Sequence, residues 1–225
     1  MLHWAMQWQL LDDLPDDVRR QVLARMQRRA FARGDVLFHE GDPADTLHLL
    51  AQGRVLARRT TPLGDSAAFR VIGPGRALGD VSLPAAHARR SSTVVALEPT
   101  VTLVMTFAEF RRLMAQYPVI GDRLAALLSA RVRRLSEQLV EALYLSSDRR
   151  VVHRLLDLCD QYADGAAGTV VIPLTQTDLA QLAGAARPTT NRVLRALEAD
   201  RILRLHRGRI EVIDHEALAR LRTEV

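Results

Sequence analysis

Residues 174–203 read LTQTDLAQLAGAARPTTNRVLRALEADRIL, and this stretch decides the fold of the C-terminal part of the chain. Two amphipathic helices are predicted in it, because apolar residues recur three and four positions apart on either side of Gly184. Thr175 followed by Asp178 has the spacing of a helix start in which each side chain caps the backbone of the other. Gly184 can adopt a positive φ, so the chain can turn sharply between the two helices.

The second helix, starting near Arg187, is predicted to pack on one side and to expose polar groups on the other. Its packing side consists of Thr190, Val193, Leu194 and Leu197. Its polar side follows the i, i+3, i+4, i+7 spacing with Pro188, Asn191, Arg192 and Arg195. Arginine and asparagine side chains match the edges of guanine and adenine in a major groove. The two helices therefore predict a helix-turn-helix whose second helix reads DNA.

A β-hairpin is predicted directly after these helices, in residues 202–213, which read ILRLHRGRIEVI and turn at Arg207-Gly208. Such a hairpin would complete a winged helix and place Arg207 and Arg209 near DNA phosphates. Between residues 187 and 209 the sequence has seven Arg against two acidic residues. This local excess of positive charge suits a polyanionic partner.

A long helix is predicted from Pro118 to about Tyr144. Within it apolar residues are spaced 4, 3, 4 and 3 positions apart, at Leu128, Val132, Leu135, Leu139 and Ala142. Two copies of a helix that wrap around each other have this spacing, and so does a helix buried inside one domain. Charged residues occupy much of the remaining surface, which favours self-association. The interruption at 146–148 predicts a domain boundary.

Between Phe31 and about Thr106 the hydrophobic pattern changes to the period of two that is typical of β-strands. Six short strands are predicted, at residues 36–38, 47–50, 55–57, 69–72, 93–97 and 101–104. Turn residues separate these segments at short intervals, which predicts a compact barrel or roll. The first 30 residues are predicted to be helical, with a helix beginning at Pro15. Shorter elements are predicted at 107–116, 149–163, 170–172 and from Asp214.

The composition argues against several classes of protein. With one cysteine among 225 residues, one chain cannot build a disulfide framework, a cysteine-ligated iron–sulfur cluster or a zinc knuckle. No apolar run approaches the roughly 20 residues that span a bilayer, and the first residues do not read as a secretory signal, so we expect a cytoplasmic protein. We find no nucleophile–base pair, phosphate-binding loop or metal-binding histidine spacing, so we do not expect an enzyme.

Three N-terminal stretches add to the helix-turn-helix: GDVLFHEGDPADTLHLLAQGRV (34–55), IGPGRALGDVSLP (72–84) and RSSTVVALEP (90–99). Together with the order of roll, long helix and winged helix, they resemble the CRP/FNR family of bacterial transcription regulators over nearly the whole chain. The resemblance implies an α+β fold with an N-terminal double-stranded β-helix, a jelly-roll-like cyclic-nucleotide-binding domain, at 1–116. A dimerisation helix and hinge at 117–147 and a C-terminal winged helix-turn-helix at 148–225 would follow.

The resemblance also implies an effector site. The family's cyclic-nucleotide cassette falls on Gly79, Asp80, Val81, Arg90 and Ser91. Arg90 and not Arg89 is assigned to the phosphate, because the strand at 93–96 then follows the arginine at the distance that is usual in the family. Arginine, a hydroxyl and free backbone N–H groups can address a cyclic phosphate, and Asp80 would accept from the ribose 2′-OH. Asp80 is one methylene shorter than the usual glutamate. The family's Thr-Ser pair on the long helix falls on Leu135 and Ser136, of which Ser136 alone matches.

Three alternatives for the sensor stay open. The first is a cyclic nucleotide such as cAMP or cGMP, and the second is another small effector. In the third, Arg90 and Asp80 form an ion pair inside an orphan sensor that binds nothing. A haem-binding branch of the family would use histidine or cysteine, and the sensor region contains His39, His48 and His87. No permanently bound cofactor is required by the sequence.

The same resemblance assigns roles on the DNA side. We expect base contacts from Arg187 and Arg192, and phosphate contacts from Gln176 and Thr189. Either role suits Asn191 and Arg195. Pro188 stands where the family often has a glutamate, so the half-site should differ from that of members with the acid.

Ala186 lacks a side chain that could cap the recognition helix, which weakens the helix start by about 1 kcal/mol. The implied regulator is a homodimer on palindromic double-stranded DNA, with RNA polymerase as a further partner. An effector bound in the roll would bias the long helix and reorient the DNA modules.

Overall fold

The computed structural model describes residues 6–60, 66–80, 88–163 and 168–223. These residues divide into two compact units. The first comprises residues up to Arg59 together with Val71–Ser136, and the second comprises Thr60–Arg70 together with the residues from Glu137 onward. Val81 and His87, which the sequence singled out, lie outside the described residues.

Eight strands form two four-stranded sheets in the described N-terminal part. They are β1 (Gln27–Phe31), β2 (Val36–Phe38), β3 (Thr46–Gln52), β4 (Val55–Thr60), β5 (Ser66–Ile72), β6 (Ala77–Leu78), β7 (Thr93–Ala96) and β8 (Thr100–Thr106). One sheet has the order β1-β8-β3-β6 and the other has the order β2-β7-β4-β5. Each of the six predicted strands is present, and the predicted roll is confirmed.

The prediction that the first 30 residues are helical is confirmed only for Asp16–Arg25 and is wrong for residues 6–14, which form turns and bends, and for the last part of the stretch. Helix α1 (Asp16–Arg25) begins after Pro15 as predicted, but Gln27–Phe31 forms β1. This strand pairs antiparallel with β8, from Gln27 opposite Val104 to Phe31 opposite Thr100. Its sequence QRRAF is largely exposed and does not alternate, so pairing with a distant strand decides its structure. The two-residue strand β6 was missed for the same reason, since it forms by pairing with β3.

The core of the first unit lies against β3 and β8. These two strands pair antiparallel, and nearly every residue in them is buried. Helix α2 (Phe107–Gln116) packs on both strands and buries Phe110 completely beside Trp8. Helix α2 starts at a capping box, in which Thr106 Oγ1 accepts from the Glu109 N–H at 3.2 Å and Glu109 Oε2 accepts from the Thr106 N–H at 2.8 Å.

Helix α3 (Val119–Tyr144) has the predicted bounds. Leu128 is partly buried against the core, whereas Val132, Leu135 and Leu139 are 62%, 48% and 60% exposed. Further exposed apolar residues near its end were not predicted: Val140, Leu143 and Tyr144. Most of the predicted seam therefore faces outward in the isolated chain. No helix among the residues with described positions is long and apolar enough to cross a membrane.

The second unit has the predicted winged-helix order. Its elements after α3 are α4 (Ser147–Tyr162), β9 (Val170–Ile172), α5 (Gln176–Ala183), α6 (Arg187–Ala199), β10 (Leu203–His206), β11 (Arg209–Val212) and α7 (His215–Thr223). The three strands form an antiparallel sheet in the order β10-β11-β9. Helix α4 buries Cys159 completely, and burial raises the pKa of its thiol to about 12.

The helix-turn-helix forms by the local signals that predicted it. Thr175 and Asp178 make a capping box at the start of α5, and Gly184 turns the chain with φ 54°. Arg150 of α4 completes the turn, because its guanidinium donates to the carbonyls of Ala183 at 2.9 Å and Gly184 at 2.8 Å. These carbonyls would otherwise lack partners at the end of α5. The contact fixes α4 against the turn.

Candidate effector and DNA-binding sites

Arg90 lies at the centre of the candidate effector site. Its side chain packs with Phe38, Thr46 and Gly79, and we call these four residues the Arg90 cluster. Arg90 is 4% exposed, and its Cζ atom lies 4.1 Å from the centre of the Phe38 ring. Its Nη2 donates to Thr46 Oγ1 at 2.7 Å. The aromatic face and the hydroxyl hold the guanidinium in place, and no carboxylate of the described residues is in hydrogen-bond contact with it.

Two of the three guanidinium nitrogens of Arg90 have no acceptor. Nε and Nη1 are buried and make no hydrogen bond with the residues whose positions are described. Burial lowers the pKa of Arg90, and the nearby carboxylates of Asp45 and Asp42 oppose this effect. A buried cation with unsatisfied N–H groups is costly, so this arrangement is suited to an incoming anion.

Gly79 packs closely against Arg90. Its φ is +87°, a conformation that residues with a side chain rarely adopt. A Cβ atom added there would lie 2.4 Å from Arg90 Nη1 and 3.0 Å from the Thr46 carbonyl oxygen. Glycine at this position therefore lets the backbone after β6 approach the guanidinium.

His48 lies behind the Arg90 cluster in β3. It is 2% exposed, and its two ring nitrogens are 3.3 Å from Thr102 Oγ1 and 3.5 Å from Thr46 Oγ1. Burial lowers the pKa of His48 from 6.5 to about 4, with a smaller contribution from the Arg90 charge. His48 is thus neutral at pH 7 and supports Thr46. His39 is exposed, and the described residues contain no group of side chains that could hold a metal ion.

Asp80 and Arg90 do not form the ion pair of the orphan-sensor alternative. Asp80 Oδ1 instead lies 3.8 Å from Arg131 Nη1 of α3. Ser91 is exposed next to Arg90, and the exposed Ser136 donates its hydroxyl to the Val132 carbonyl at 3.1 Å. The structure thus brings Gly79 against Arg90. It does not bring Asp80 into hydrogen-bond contact with Arg90.

The candidate DNA-binding site is the exposed side of α6, which we call the reading face. It consists of Arg187, Pro188, Thr189, Asn191, Arg192 and Arg195. The opposite side buries Val193, Leu194 and Leu197 together with Thr190, whose hydroxyl donates to the Ala186 carbonyl at 3.2 Å. The predicted inward position of Thr190 is confirmed. Ala186 provides no side-chain cap, also as predicted, and Pro188 lies in the first turn.

Partners within the second unit orient three side chains of the reading face. Asn191 Nδ2 donates to Gln176 Oε1 at 2.8 Å, which joins the recognition helix to the start of α5. Arg195 Nη1 donates to Glu198 Oε2 at 2.7 Å on the same helix. Arg192 Nη2 donates to both oxygens of Asp148, at 2.7 and 2.8 Å. The sequence did not predict the partner of Arg192.

The wing presents two further arginines. Arg207 lies in the turn between β10 and β11, and Arg209 begins β11. Both are exposed, and we find no acceptor for either guanidinium in the described part of the chain. His206 Nε2 and Glu211 Oε2 are 2.8 Å apart across the hairpin, and this contact helps to fix the shape of the hairpin. The wing and the reading face thus offer positive charge from separate elements of one unit.

Sequence reasoning missed four residues that contact the predicted sites. They are Phe38 and Thr46 at Arg90, Arg131 at Asp80, and Asp148 at Arg192. All four pairs are more than 40 positions apart in sequence, so local spacing carries no signal for them. Asp148 had been assigned to the interruption between helices, and it in fact lies in the first turn of α4.

Comparison with known proteins identifies both domains. Residues 28–117 match the family model of the cyclic nucleotide-binding domain, and residues 149–221 match that of the Crp-like helix-turn-helix domain. The chain is 33% identical to the cyclic AMP receptor protein of Thermus thermophilus over 191 residues, which is 85% of this chain and 86% of the relative. It is 31% identical to the CRP-like cAMP-activated global transcriptional regulator of Mycobacterium tuberculosis over 198 residues, 87% and 88% of the two chains.

A solved structure gives the same fold. The c-di-GMP responsive global regulator CLP of Xanthomonas campestris superposes with a TM-score of 0.75, covering 88% of this chain and 99% of its own, at 21% identity. The N-terminal and C-terminal domains each match a model, and the relatives align over most of their length. The chain therefore belongs to the CRP/FNR family and is a DNA-binding transcription regulator.

Proposed function

We propose that this regulator is controlled by a small anionic effector whose phosphate lies against Arg90, with a cyclic nucleotide such as cAMP as the leading candidate. The observation that carries the proposal is the buried guanidinium of Arg90, of which Nε and Nη1 have no acceptor among described residues. A phosphate supplies several acceptor oxygens and one negative charge to the same group. Its binding would remove an unfavourable feature of the free protein.

The neighbours of Arg90 suit a cyclic phosphate. Gly79 lets the backbone after β6 lie close to Nη1, and Ser91, which is exposed, lies next to Arg90 in sequence. Val81 completes the proposed set by resemblance. The relatives named above as a cyclic AMP receptor and a cAMP-activated regulator support a cyclic nucleotide over other small anions.

The sugar and base contacts depend on Asp80 and Ser136. Asp80 has Arg131 as its partner in the free protein, so accepting from a ribose hydroxyl requires that it share or leave this contact. Ser136 would have to exchange the Val132 carbonyl for the base. Leu135, next to it, provides an apolar surface and no hydrogen bond. We therefore expect the phosphate to contribute more to affinity than the base does.

We further propose that the regulator acts as a homodimer on a palindromic DNA site. Val132, Leu135 and Leu139 are apolar, exposed and spaced 3 and 4 positions apart on α3, as in paired helices. Two recognition helices related by twofold symmetry would enter successive major grooves about 34 Å apart. Base contacts would come from Arg187 and Arg192, as the exposure of both side chains allows.

The remaining contacts follow the position of each side chain. Phosphates would be met by Gln176, Thr189 and the wing residues Arg207 and Arg209. Asn191 and Arg195 would meet either bases or phosphates, and Pro188 would lie beside them in place of the family's glutamate. Effector binding would bias α3 and thereby the DNA modules, with functional divisions at 1–116, 117–147 and 148–225. We expect RNA polymerase as a further partner and the cytoplasm as the location. Regulation by binding, without catalysis, is the proposed activity.

Isothermal titration of the full chain with cAMP and cGMP tests the effector proposal. We expect binding that is weakened at least about 30-fold by Arg90→Ala, because a buried charge pair loses one partner. The adjacent Arg89→Ala is the matched control, since Arg89 is exposed and donates to the Gly41 carbonyl at 2.9 Å. It should change affinity less than about 3-fold. No heat with either nucleotide, and no effect of either on DNA affinity, would instead support the effector-independent regulator.

A further inference from the structure

Asp148 reaches the reading face from another helix. It lies in the first turn of α4, 44 positions before Arg192, and both elements belong to the second unit. Both of its carboxylate oxygens accept from the same nitrogen, Arg192 Nη2, at 2.7 and 2.8 Å. The side chains of Arg192 and Asp148 are 67% and 43% exposed. The pair therefore sits at the surface that α6 presents to DNA.

The contact uses one end of the guanidinium and leaves the rest available. Nη1 and Nε of Arg192 form no hydrogen bond with residues of described position, and Nη2 carries a second hydrogen. A pair of adjacent N–H groups thus remains for the two acceptors of a guanine edge. Arg195 differs, because its partner Glu198 lies on the same helix, whereas the partner of Arg192 comes from another helix.

We propose that Asp148 is a specificity-determining residue of the DNA interface, because it holds the Arg192 guanidinium in the orientation in which that group reads a guanine. The inference rests on the proposed base-reading role of Arg192. Asp148 itself contacts no base in this role, so it is a positioning residue.

Two physical effects of Asp148 differ in what they do to specificity. An exposed ion pair adds little to folding stability, but orienting a long side chain beforehand removes part of the entropy cost of binding. This first effect strengthens the correct contact relative to nonspecific binding. The carboxylate also repels phosphates, which weakens binding to every sequence alike and leaves the ratio of specific to nonspecific affinity unchanged.

Two substitutions separate these effects. Asp148→Ala removes the acceptors and the charge, whereas Asp148→Asn keeps one acceptor oxygen and removes the charge. We expect both to raise nonspecific DNA affinity by a similar factor. Asp148→Ala should lower discrimination at one base pair of the selected site by roughly 3- to 10-fold, and Asp148→Asn should lower it less. The measurement is fluorescence anisotropy of full-length protein on three kinds of duplex: the palindromic site that the protein selects from a random library, single-base variants of that site, and a random duplex.

Asp200→Asn is the matched control, since Asp200 is exposed at the end of α6 and makes no side-chain hydrogen bond with the described residues. It should raise affinity for all sequences equally. If Asp148→Ala does the same and leaves discrimination unchanged, Asp148 acts by charge alone and the inference is wrong. Arg192→Ala distinguishes this failure from that of its premise. If Arg192→Ala loses discrimination at one base pair and Asp148→Ala does not, only the positioning role of Asp148 is overturned. If Arg192→Ala leaves discrimination unchanged, the base-reading role of Arg192 is overturned as well.

Discussion

The Arg90 cluster and the reading face both depend on an arginine, but the two guanidinium groups are held in opposite ways. Arg90 is buried against an aromatic ring and a hydroxyl, and two of its nitrogens lack acceptors among the residues that the structure describes. Arg192 is two-thirds exposed and already has a carboxylate partner in Asp148. The first group keeps N–H donors without acceptors among the described residues, whereas the second already has a carboxylate partner within its own unit.

This difference determines how each site responds to substitution. In the Arg90 cluster the low-dielectric surroundings make each contact strong, so small changes in volume or charge have large effects. On the reading face water screens the charges, and a single contact is worth little stability. We therefore expect changes in the cluster to alter folding and effector binding, and changes on the reading face to alter mainly DNA affinity and specificity.

The largest effect is expected from Gly79→Ala. The new Cβ would force a side chain into φ +87° and press on Arg90 Nη1, so the free energy of unfolding of the sensor should fall by about 3 kcal/mol and effector binding should be lost. Urea unfolding followed by tryptophan fluorescence measures the change, because Trp8 is fully buried in the same unit.

Gly34→Ala is the control for backbone strain alone. Gly34 has φ +91° and open space where its Cβ would lie, so this variant should lose about 1 kcal/mol and keep effector binding. Equal losses in the two variants, with binding retained in both, would contradict the tight packing of Gly79 on Arg90.

An intermediate effect is expected from His48→Phe on the pH dependence of stability. The pKa of His48 is about 4 in the folded protein and 6.5 in the unfolded chain, which therefore takes up a proton first as the pH falls. The stability contributed by neutral His48 is present above pH 6.5 and is lost progressively between pH 6.5 and 4. Between pH 7 and 4.5 the wild type should lose about 2 kcal/mol more than His48→Phe.

Chemical denaturation at several pH values provides this comparison. His39→Gln is the control, since His39 is exposed in the same unit and its removal should leave the pH dependence unchanged. A parallel pH profile for wild type and His48→Phe would show that His48 is not buried in its neutral form.

The smallest effect is expected from Ala186→Ser on the DNA side. Ala186 already has the extended backbone of an N-cap, with φ −65° and ψ 143°, but lacks a capping side chain. A serine hydroxyl would accept from a free N–H of the first turn and stabilise the module by about 1 kcal/mol. Hydrogen exchange of the α6 amides reports the gain. Ala196→Ser, at an exposed position inside α6, should instead lower protection slightly.

Local signals made the winged helix predictable. Elements that form by pairing with distant residues could not be predicted in the same way. Thr175, Asp178 and Gly184 act on residues within a few positions of themselves, so α5, the turn and α6 followed from the sequence. Strand β1 has a polar sequence and becomes a strand by pairing with β8 about 70 positions later. The sequence alone therefore suggested a helix there.

The main residues of the candidate effector site were predicted, but the residues that contact and hold them were not. Arg90 and Gly79 were placed by resemblance, and the structure brings them together. Thr46 and Phe38, which hold the guanidinium, come from strands 44 and 52 positions earlier and carry no recognisable spacing. The Asp80–Arg90 ion pair of the orphan alternative does not form, because Arg131, on α3, is the cation nearest to Asp80 among its described partners.

Cys159 gives the DNA module a built-in chemical reporter. It is the single cysteine of the chain, it is fully buried in α4, and its thiol has a pKa of about 12. Thiolate is the species that reacts with alkylating reagents, so the folded module should be inert to them at neutral pH. The rate of alkylation then reports how often α4 opens and exposes the Cys159 thiol. The decrease in that rate on addition of a candidate effector or of DNA measures how far each one stabilises the DNA module, without an engineered reporter group.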